Sequence, residues 1–130
     1  MVEFTFIDTK EEFNKLIEEI KNEPALAIDL ECENNLHHYG VYITLIQIST
    51  TTKNYVLDIL KVKEIRPLLE ILENRNIQKI IHDISFDLRV LNYQFNISAK
   101  NIFDTQLAAK FLDKESLGLT YLLEEYFKIK

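Results

Sequence analysis

The hydrophobic and polar positions along the chain follow two different periods, and their order predicts the secondary structure. Runs of β-branched and aromatic residues predict strands at 4–7, 25–31, 41–49, 54–59 and 77–81. Apolar residues spaced three and four apart predict helices at 64–74, 84–94, 105–112 and 119 to 126 or 127. A first helix follows Thr9, which forms a capping box with Glu12.

The order of these elements predicts the class of fold. Three consecutive strands between residues 25 and 59 have short connections, which favours an antiparallel meander. Helices and strands then alternate. We therefore predict an α/β fold with a mixed sheet covered by helices.

Composition narrows the classes of protein. With 130 residues, 47% of them hydrophobic and only two Gly and two Pro, the chain is expected to form one compact domain over 1–130. A net charge of −6 excludes nucleic-acid binding by general basic attraction, so a polyanion would have to be held locally, at metal ions. The single Cys32, the lack of an apolar run long enough for a membrane and the lack of a signal-peptide pattern predict a cytoplasmic protein without membrane contact.

The residues with the most chemical information are Asp29 and Glu31. Side chains alternate faces along a strand, so both carboxylates project from one side of the sheet and Leu30 from the other. Neighbouring carboxylates repel each other unless a cation or a shared proton compensates their charge. A third acid, Asp87, follows the strand that ends before His82. The pattern therefore predicts either a metal site or a shared proton.

Five segments in order resemble the RNase D family, and more closely its exosome-associated nuclear branch. The matching segments are 27–31 (AIDLE), 45–49 (LIQIS), 79–87 (KIIHDISFD), 103–110 (FDTQLAAK) and 119–123 (LTYLL). The resemblance implies a 3′→5′ exonuclease of the DEDD superfamily. It also implies a ribonuclease H-like sheet, with three antiparallel strands followed by parallel strands.

The resemblance assigns roles only where residues match. Asp29 and Glu31 match the acids that bind the metal pair, and Asp87 matches the acid of the second motif. Two divalent ions about 3.5–4 Å apart can activate a water and neutralise a leaving oxygen. Carboxylate oxygens suit Mg²⁺ or Mn²⁺. The expected reaction is hydrolysis of single-stranded nucleic acid, RNA more than DNA, from its 3′ end to nucleoside monophosphates.

The chain also departs from the family pattern. Tyrosine-type members continue with a helix that bears a Tyr and a fourth Asp, whereas this sequence stops at Lys130. Glu124, Glu125 and Tyr126 lie where the family has ordinary helical residues. We therefore expect a C-terminally truncated domain, and self-association through the surface left uncovered is a further hypothesis.

Two functions stay open at this point. One is a metal-dependent exonuclease. The other is a catalytically incomplete module with the same fold that binds nucleic acid or a protein partner.

Several other residues have both a functional and a structural interpretation. His82 is a candidate substrate contact, although a strand-end His bonded to the backbone is commoner. Phe86, like Leu30 a minor substrate candidate, is more often a core residue. Asp83 and Asp104 precede helices, where Asp is a favoured N-cap. His37 and His38 lie in the loop 32–40, which could contact a terminal nucleotide but is more typical of a solvated loop.

Overall fold

The structure, a computed structural model, describes residues 2–35 and 40–129, without the side chains of Asn34 and Asn35. Its elements in chain order are β1 (Thr5–Ile7), α1 (Lys10–Ile20), β2 (Ala25–Asn35), β3 (Gly40–Ser49), β4 (Asn54–Asp58), α2 (Arg66–Glu73), β5 (Gln78–Ile81), α3 (Ile84–Phe95), β6 (Ile102–Asp104), α4 (Thr105–Phe111) and α5 (Leu119–Phe127). No helix in these ranges is long and apolar enough to cross a membrane.

The strands form a mixed sheet in the order β1-β4-β3-β2-β5-β6. The central strands β2, β3 and β4 pair antiparallel, which confirms the predicted meander. The remaining pairs, β1 with β4, β2 with β5, and β5 with β6, are parallel. The predicted mixed α/β fold is therefore confirmed.

The first helix begins where the capping box was predicted. The Thr9 hydroxyl oxygen accepts a hydrogen bond from the backbone N–H of Glu12 at 3.2 Å. The Glu12 carboxylate accepts from the backbone N–H of Asp8 at 3.2 Å and from the Thr9 hydroxyl at 3.0 Å. These bonds satisfy donors that a helix N-terminus otherwise leaves unpaired.

Two strands differ from the prediction. β2 continues four residues past Glu31, because a bulge between Glu31 and Cys32 shifts the register and pairing with β3 resumes beyond it. The sequence of 32–35 is mostly polar and has low strand propensity, so it does not predict this extension. Strand propensity takes no account of pairing with a neighbouring strand. β6 was not predicted because its three residues are too few to show a period.

The hydrophobic core of the described residues lies between one face of the sheet and the first three helices. Leu26, Ile28 and Leu30 of β2 belong to it, together with residues such as Phe13 of α1 and Leu72 of α2. The intervening residues 27, 29 and 31 are exposed on the opposite face of β2. The core therefore fixes which side of the central strand carries its acids.

Lys79 of β5 is fully buried on the core side of the sheet. Its Nζ donates to the backbone carbonyls of Ile77 at 2.6 Å, Asn74 at 2.7 Å and Ile71 at 3.3 Å. Two of these carbonyls lie at the C-terminal end of α2, where a cation is favourable. Burial nevertheless lowers the pKa of Lys79 to about 8. The side chain thus joins β5 to the end of α2.

We expect Lys79→Met to destabilise the fold by about 1–3 kcal/mol, because it leaves buried carbonyl oxygens without a donor. Urea unfolding followed by circular dichroism measures the change. The matched control is Lys63→Met, at an exposed position. Equal stability of the two variants would contradict this role for Lys79.

Candidate functional site

The face of β2 opposite the core presents Asp29 and Glu31, both exposed, as the strand alternation predicts. Leu30 between them is only 8% exposed and belongs to the core. As a minor substrate candidate it therefore offers little surface. The two acids are therefore the side chains through which this part of the strand can reach a ligand.

Strand β3 holds Glu31 in place. The Gln47 side chain donates from Nε2 to Glu31 Oε1 at 3.2 Å. The Thr44 hydroxyl donates to the backbone carbonyl of Glu31 at 3.0 Å. Sequence reasoning did not select Gln47 as a site residue. Its place directly opposite Asp29 in the strand register becomes visible only with the pairing of β2 and β3.

Asp87 enters the site from the first turn of α3 and is only 8% exposed. Burial raises the pKa of Asp87 to about 7, and the negative charges of Asp29 and Asp83 act in the same direction. All three predicted acids act on the neighbouring Cys32 thiol, because burial and then the charges of Asp87, Glu31 and Asp29 raise its pKa. Among the described residues, no cation takes part in these interactions of Asp87 and Cys32.

The donor set fits a hard divalent cation. All three side chains offer carboxylate oxygens, the ligands that Mg²⁺ and Mn²⁺ take in proteins. A bound cation would favour the charged form of Asp87, which burial and then the charges of Asp29 and Asp83 disfavour. Within residues 2–35 and 40–129, however, no group of three His, Cys, Asp or Glu side chains is arranged to hold a metal ion. The chemistry of the acids fits a metal, but the described side chains do not form a ready ligand cluster.

Asp104 caps two helices at once. Its carboxylate accepts from the backbone N–H groups of Gln106 and Leu107 in α4, at 2.8 and 3.3 Å, which confirms the predicted cap. It also accepts from Asp83 and Ile84 at the start of α3, both at 3.1 Å. Burial raises the pKa of Asp104, but these four hydrogen bonds outweigh it and the pKa is lowered overall. Asp104 therefore joins the N-terminus of the helix that carries Asp87 to α4.

Asp83 lies at the N-cap of α3 as predicted, but its side chain does not do the capping. Asp83 occupies the N-cap position, but in a left-handed conformation with φ 57°, and its side chain makes no capping bond. It accepts instead from the Ser85 hydroxyl at 3.2 Å. The carboxylate of Asp104 takes the N–H groups at the start of α3 in its place.

A cavity of about 300 Å³ opens beside Asp29. Polar side chains of Gln47, Ser49, His82 and Thr105 line it, together with apolar residues that include Leu119 of α5. His82 Nδ1 lies 2.8 Å from the Thr105 hydroxyl oxygen, so a side chain orients this ring rather than the backbone group that was expected. His82 thus shares one cavity with the first acid.

The remaining candidates fall outside this cavity. The expectation that Phe86 belongs to the core is wrong, since it is 38% exposed. Glu125 forms an ion pair with Lys114 at 2.8 Å. His37 and His38 lie outside the described residues.

Comparison with known proteins identifies the family of the chain. The family model described as 3′-5′ exonuclease matches residues 4–130. The chain belongs to this exonuclease family. Divalent metal ions are the general cofactors of the family.

Individual relatives agree with the family. The chain is 32% identical over 126 residues to the exosome complex exonuclease RRP6 of Saccharomyces cerevisiae, covering 96% of this chain and 17% of the relative. It is 33% identical over 127 residues to ribonuclease D of Desulfotalea psychrophila, covering 96% of this chain and 34% of the relative. The chain therefore spans about a third or less of the length of these relatives.

A solved structure gives the same fold. The catalytic core of RRP6 from Trypanosoma brucei superposes with a TM-score of 0.89 at 30% identity, covering 100% of this chain and 36% of that one. The resemblance to the RNase D family and its exosome-associated branch is thus confirmed.

We expect Asp104→Ala to destabilise the protein by about 1–4 kcal/mol, since a lost cap costs about 0.5–2 kcal/mol for each helix. Asp104→Asn, which keeps one acceptor oxygen, should lose less. Urea unfolding measures both, with Asp113→Asn at an exposed position as control. A loss in Asp104→Ala no greater than in the control would contradict the double cap.

Asp87→Asn should stabilise the metal-free protein at pH 8. The folded-state pKa of Asp87, about 7, lies above its ordinary value of 3.8, so the folded state binds more protons than the unfolded state between these values. Stability of the wild type in EDTA should therefore fall as pH rises from about 4 to 7, and this fall should be smaller in Asp87→Asn.

Thermal melts in EDTA from pH 4 to 8.5 test this expectation, with Glu64→Gln as the exposed control. Adding Mg²⁺ at pH 8 should raise the melting temperature of the wild type more than that of Asp87→Asn. Identical pH profiles for the wild type and Asp87→Asn would contradict the raised pKa.

Proposed function

We propose that this domain is a divalent-metal-dependent 3′→5′ exoribonuclease that uses Asp29, Glu31 and Asp87 as its metal ligands. The observation that carries the proposal is the carboxyl of Asp87, which is buried near the charges of Asp29 and Asp83 and has no cation among the described residues in these interactions. Burying this carboxylate near another acid destabilises the metal-free protein. A bound cation would relieve that repulsion, and the relief would contribute to the affinity for the metal.

RNA is the proposed substrate because of the names of the relatives. One is called an exosome complex exonuclease and the other ribonuclease D. The proposed metal is Mg²⁺ or Mn²⁺, from the oxygen-only donor set. When bound, such ions supply an activated water and neutralise the charge that develops on the leaving 3′ oxygen.

The residues of the chain have separate tasks in this proposal. Gln47 orients the Glu31 carboxylate through its hydrogen bond to Oε1. His82, whose Nδ1 is held by Thr105, borders the cavity beside Asp29, and its Nε2 has no partner among the described residues. We propose that this Nε2 contacts the terminal nucleotide.

A second candidate function is a module that binds nucleic acid without cleaving it. The observation that favours it is that no three acid, His or Cys side chains form a metal cluster in the described part of the chain. The two candidates predict opposite results in one assay.

The deciding assay is a time course on a 5′-labelled single-stranded RNA with Mg²⁺ or Mn²⁺, read on a sequencing gel. We expect a ladder that shortens from the 3′ end, absent in EDTA and lost in Asp29→Ala. Glu64→Ala, which removes an exposed acid away from the site, should keep the ladder. A single-stranded DNA of the same sequence should be shortened more slowly.

Binding of the RNA without any ladder at high protein concentration would instead support the second function. A ladder that persists in Asp29→Ala would contradict the assignment of the acids.

A further inference from the structure

One surface of α3 combines two aromatic rings with a cation. Phe86, Arg89 and Tyr93 follow one another at spacings of three and four, which places them along one side of the helix. Phe86 is 38% exposed and Tyr93 77% exposed, and Arg89 is exposed as well. These three residues are called the α3 stripe below.

The α3 stripe borders a recess rather than a flat surface. Its three side chains, with Val41 of β3 and Val90, line an open cavity of about 310 Å³. The helix is fixed over β3 at this place, because Gln94 Oε1 accepts from the backbone N–H of Ile43 at 2.8 Å. The recess is therefore formed by two elements that are attached to each other.

The α3 stripe begins at the turn of the helix that carries Asp87. Phe86 is the residue directly before Asp87, and both belong to the first turn of the helix. From there the stripe leads along α3, away from the acids. A strand of nucleic acid with its 3′ end at Asp87 could thus continue along the helix.

The charge of Arg89 is available for a ligand. Among residues 2–35 and 40–129, Arg89 makes no ion pair, whereas Arg66 pairs with Glu70 at 3.5 Å. The chain has a net charge of −6, so an arginine that makes no ion pair with the described residues is notable. Proteins that bind single-stranded nucleic acid commonly place such a cation beside exposed aromatic rings, where the cation contacts a phosphate and the rings stack on bases.

We propose that the α3 stripe binds the single-stranded nucleic acid upstream of its 3′ end. Bases stack on Phe86 and Tyr93, and Arg89 pairs with a backbone phosphate. This inference rests on the proposed exonuclease function and adds to it the path by which the substrate strand leaves the acids. Neither Arg89 nor Tyr93 belongs to the motifs that carry the family resemblance.

Fluorescence anisotropy with a 5′-labelled single-stranded RNA of about 12 nucleotides, in EDTA and at several KCl concentrations, tests the proposal. Arg89→Ala should weaken binding and reduce the slope of log affinity against log salt by about 0.7, the value for one phosphate contact on a single strand. Arg89→Lys should keep the slope, because it keeps the charge.

The aromatic variants should behave differently from the arginine variant. Phe86→Ala and Tyr93→Ala should each weaken binding by about 5-fold to 150-fold, from the usual loss of about 1–3 kcal/mol per stacked base, with the salt slope unchanged. A merely structural role would not separate affinity from salt slope in this way. Melting curves of each variant check that the fold is retained.

The matched control is Arg75→Ala, which removes an exposed arginine beside Asn101, outside the α3 stripe. It should leave both affinity and slope unchanged. An equal effect of Arg75→Ala would mean general electrostatic attraction and would overturn the proposal, as would unchanged binding in all α3 stripe variants or no binding by the wild type.

Two further results separate the alternatives. A wild type that sediments as a dimer, and that Phe86→Ala converts to a monomer, would make this surface a self-association interface and overturn the proposal. A metal-dependent ladder in the cleavage assay together with unchanged binding in the stripe variants would overturn the α3 stripe alone and leave the exonuclease function standing.

Discussion

The two faces of β2 are the constraint on which the rest of the structure depends. This strand pairs antiparallel with β3 and parallel with β5, so it lies at the centre of the sheet. Burial of Leu26, Ile28 and Leu30 by the helices directs Asp29 and Glu31 to the other face. A shift of one residue in register would turn both carboxylates toward the core, where burial of a charged group is costly. The packing of one face of β2 therefore also determines where its acids lie.

The third acid depends on a different interaction. Asp87 comes from a helix whose first N–H groups bond to Asp104, a residue about twenty positions later in the chain. The same carboxylate begins α4, beside the hydroxyl of Thr105 that orients His82. One cap therefore links the helix of the third acid, the histidine beside Asp29 and the start of α4. A site assembled from separate segments needs such a joint, because its geometry must hold within fractions of an ångström.

Charge is distributed unevenly between structural and functional roles. Lys79 is buried, but its ammonium meets three backbone carbonyls, so its burial supports the contact between β5 and α2. Asp87 is buried beside another acid, and its pKa rises to about 7. The first arrangement satisfies its charge within the fold, whereas the second disfavours the charged form of the carboxyl, which is the basis of the metal site proposed above. Burying acids close together lowers the stability of the ion-free protein, and this is common at sites that bind ions.

The sequence by itself determined the order of the elements apart from β6, the mixed sheet, the family and the common face of Asp29 and Glu31. These follow from local periodicity and from motifs in order along the chain, which need no knowledge of distant contacts. Only the tertiary structure decided the extension of β2 beyond Glu31, the double cap by Asp104, the contact of Gln47 with Glu31 and the exposure of Phe86. Each of these depends on pairing or packing between segments far apart in the chain, and the local pattern of residues does not record which partner a strand, a carboxylate or a ring will meet.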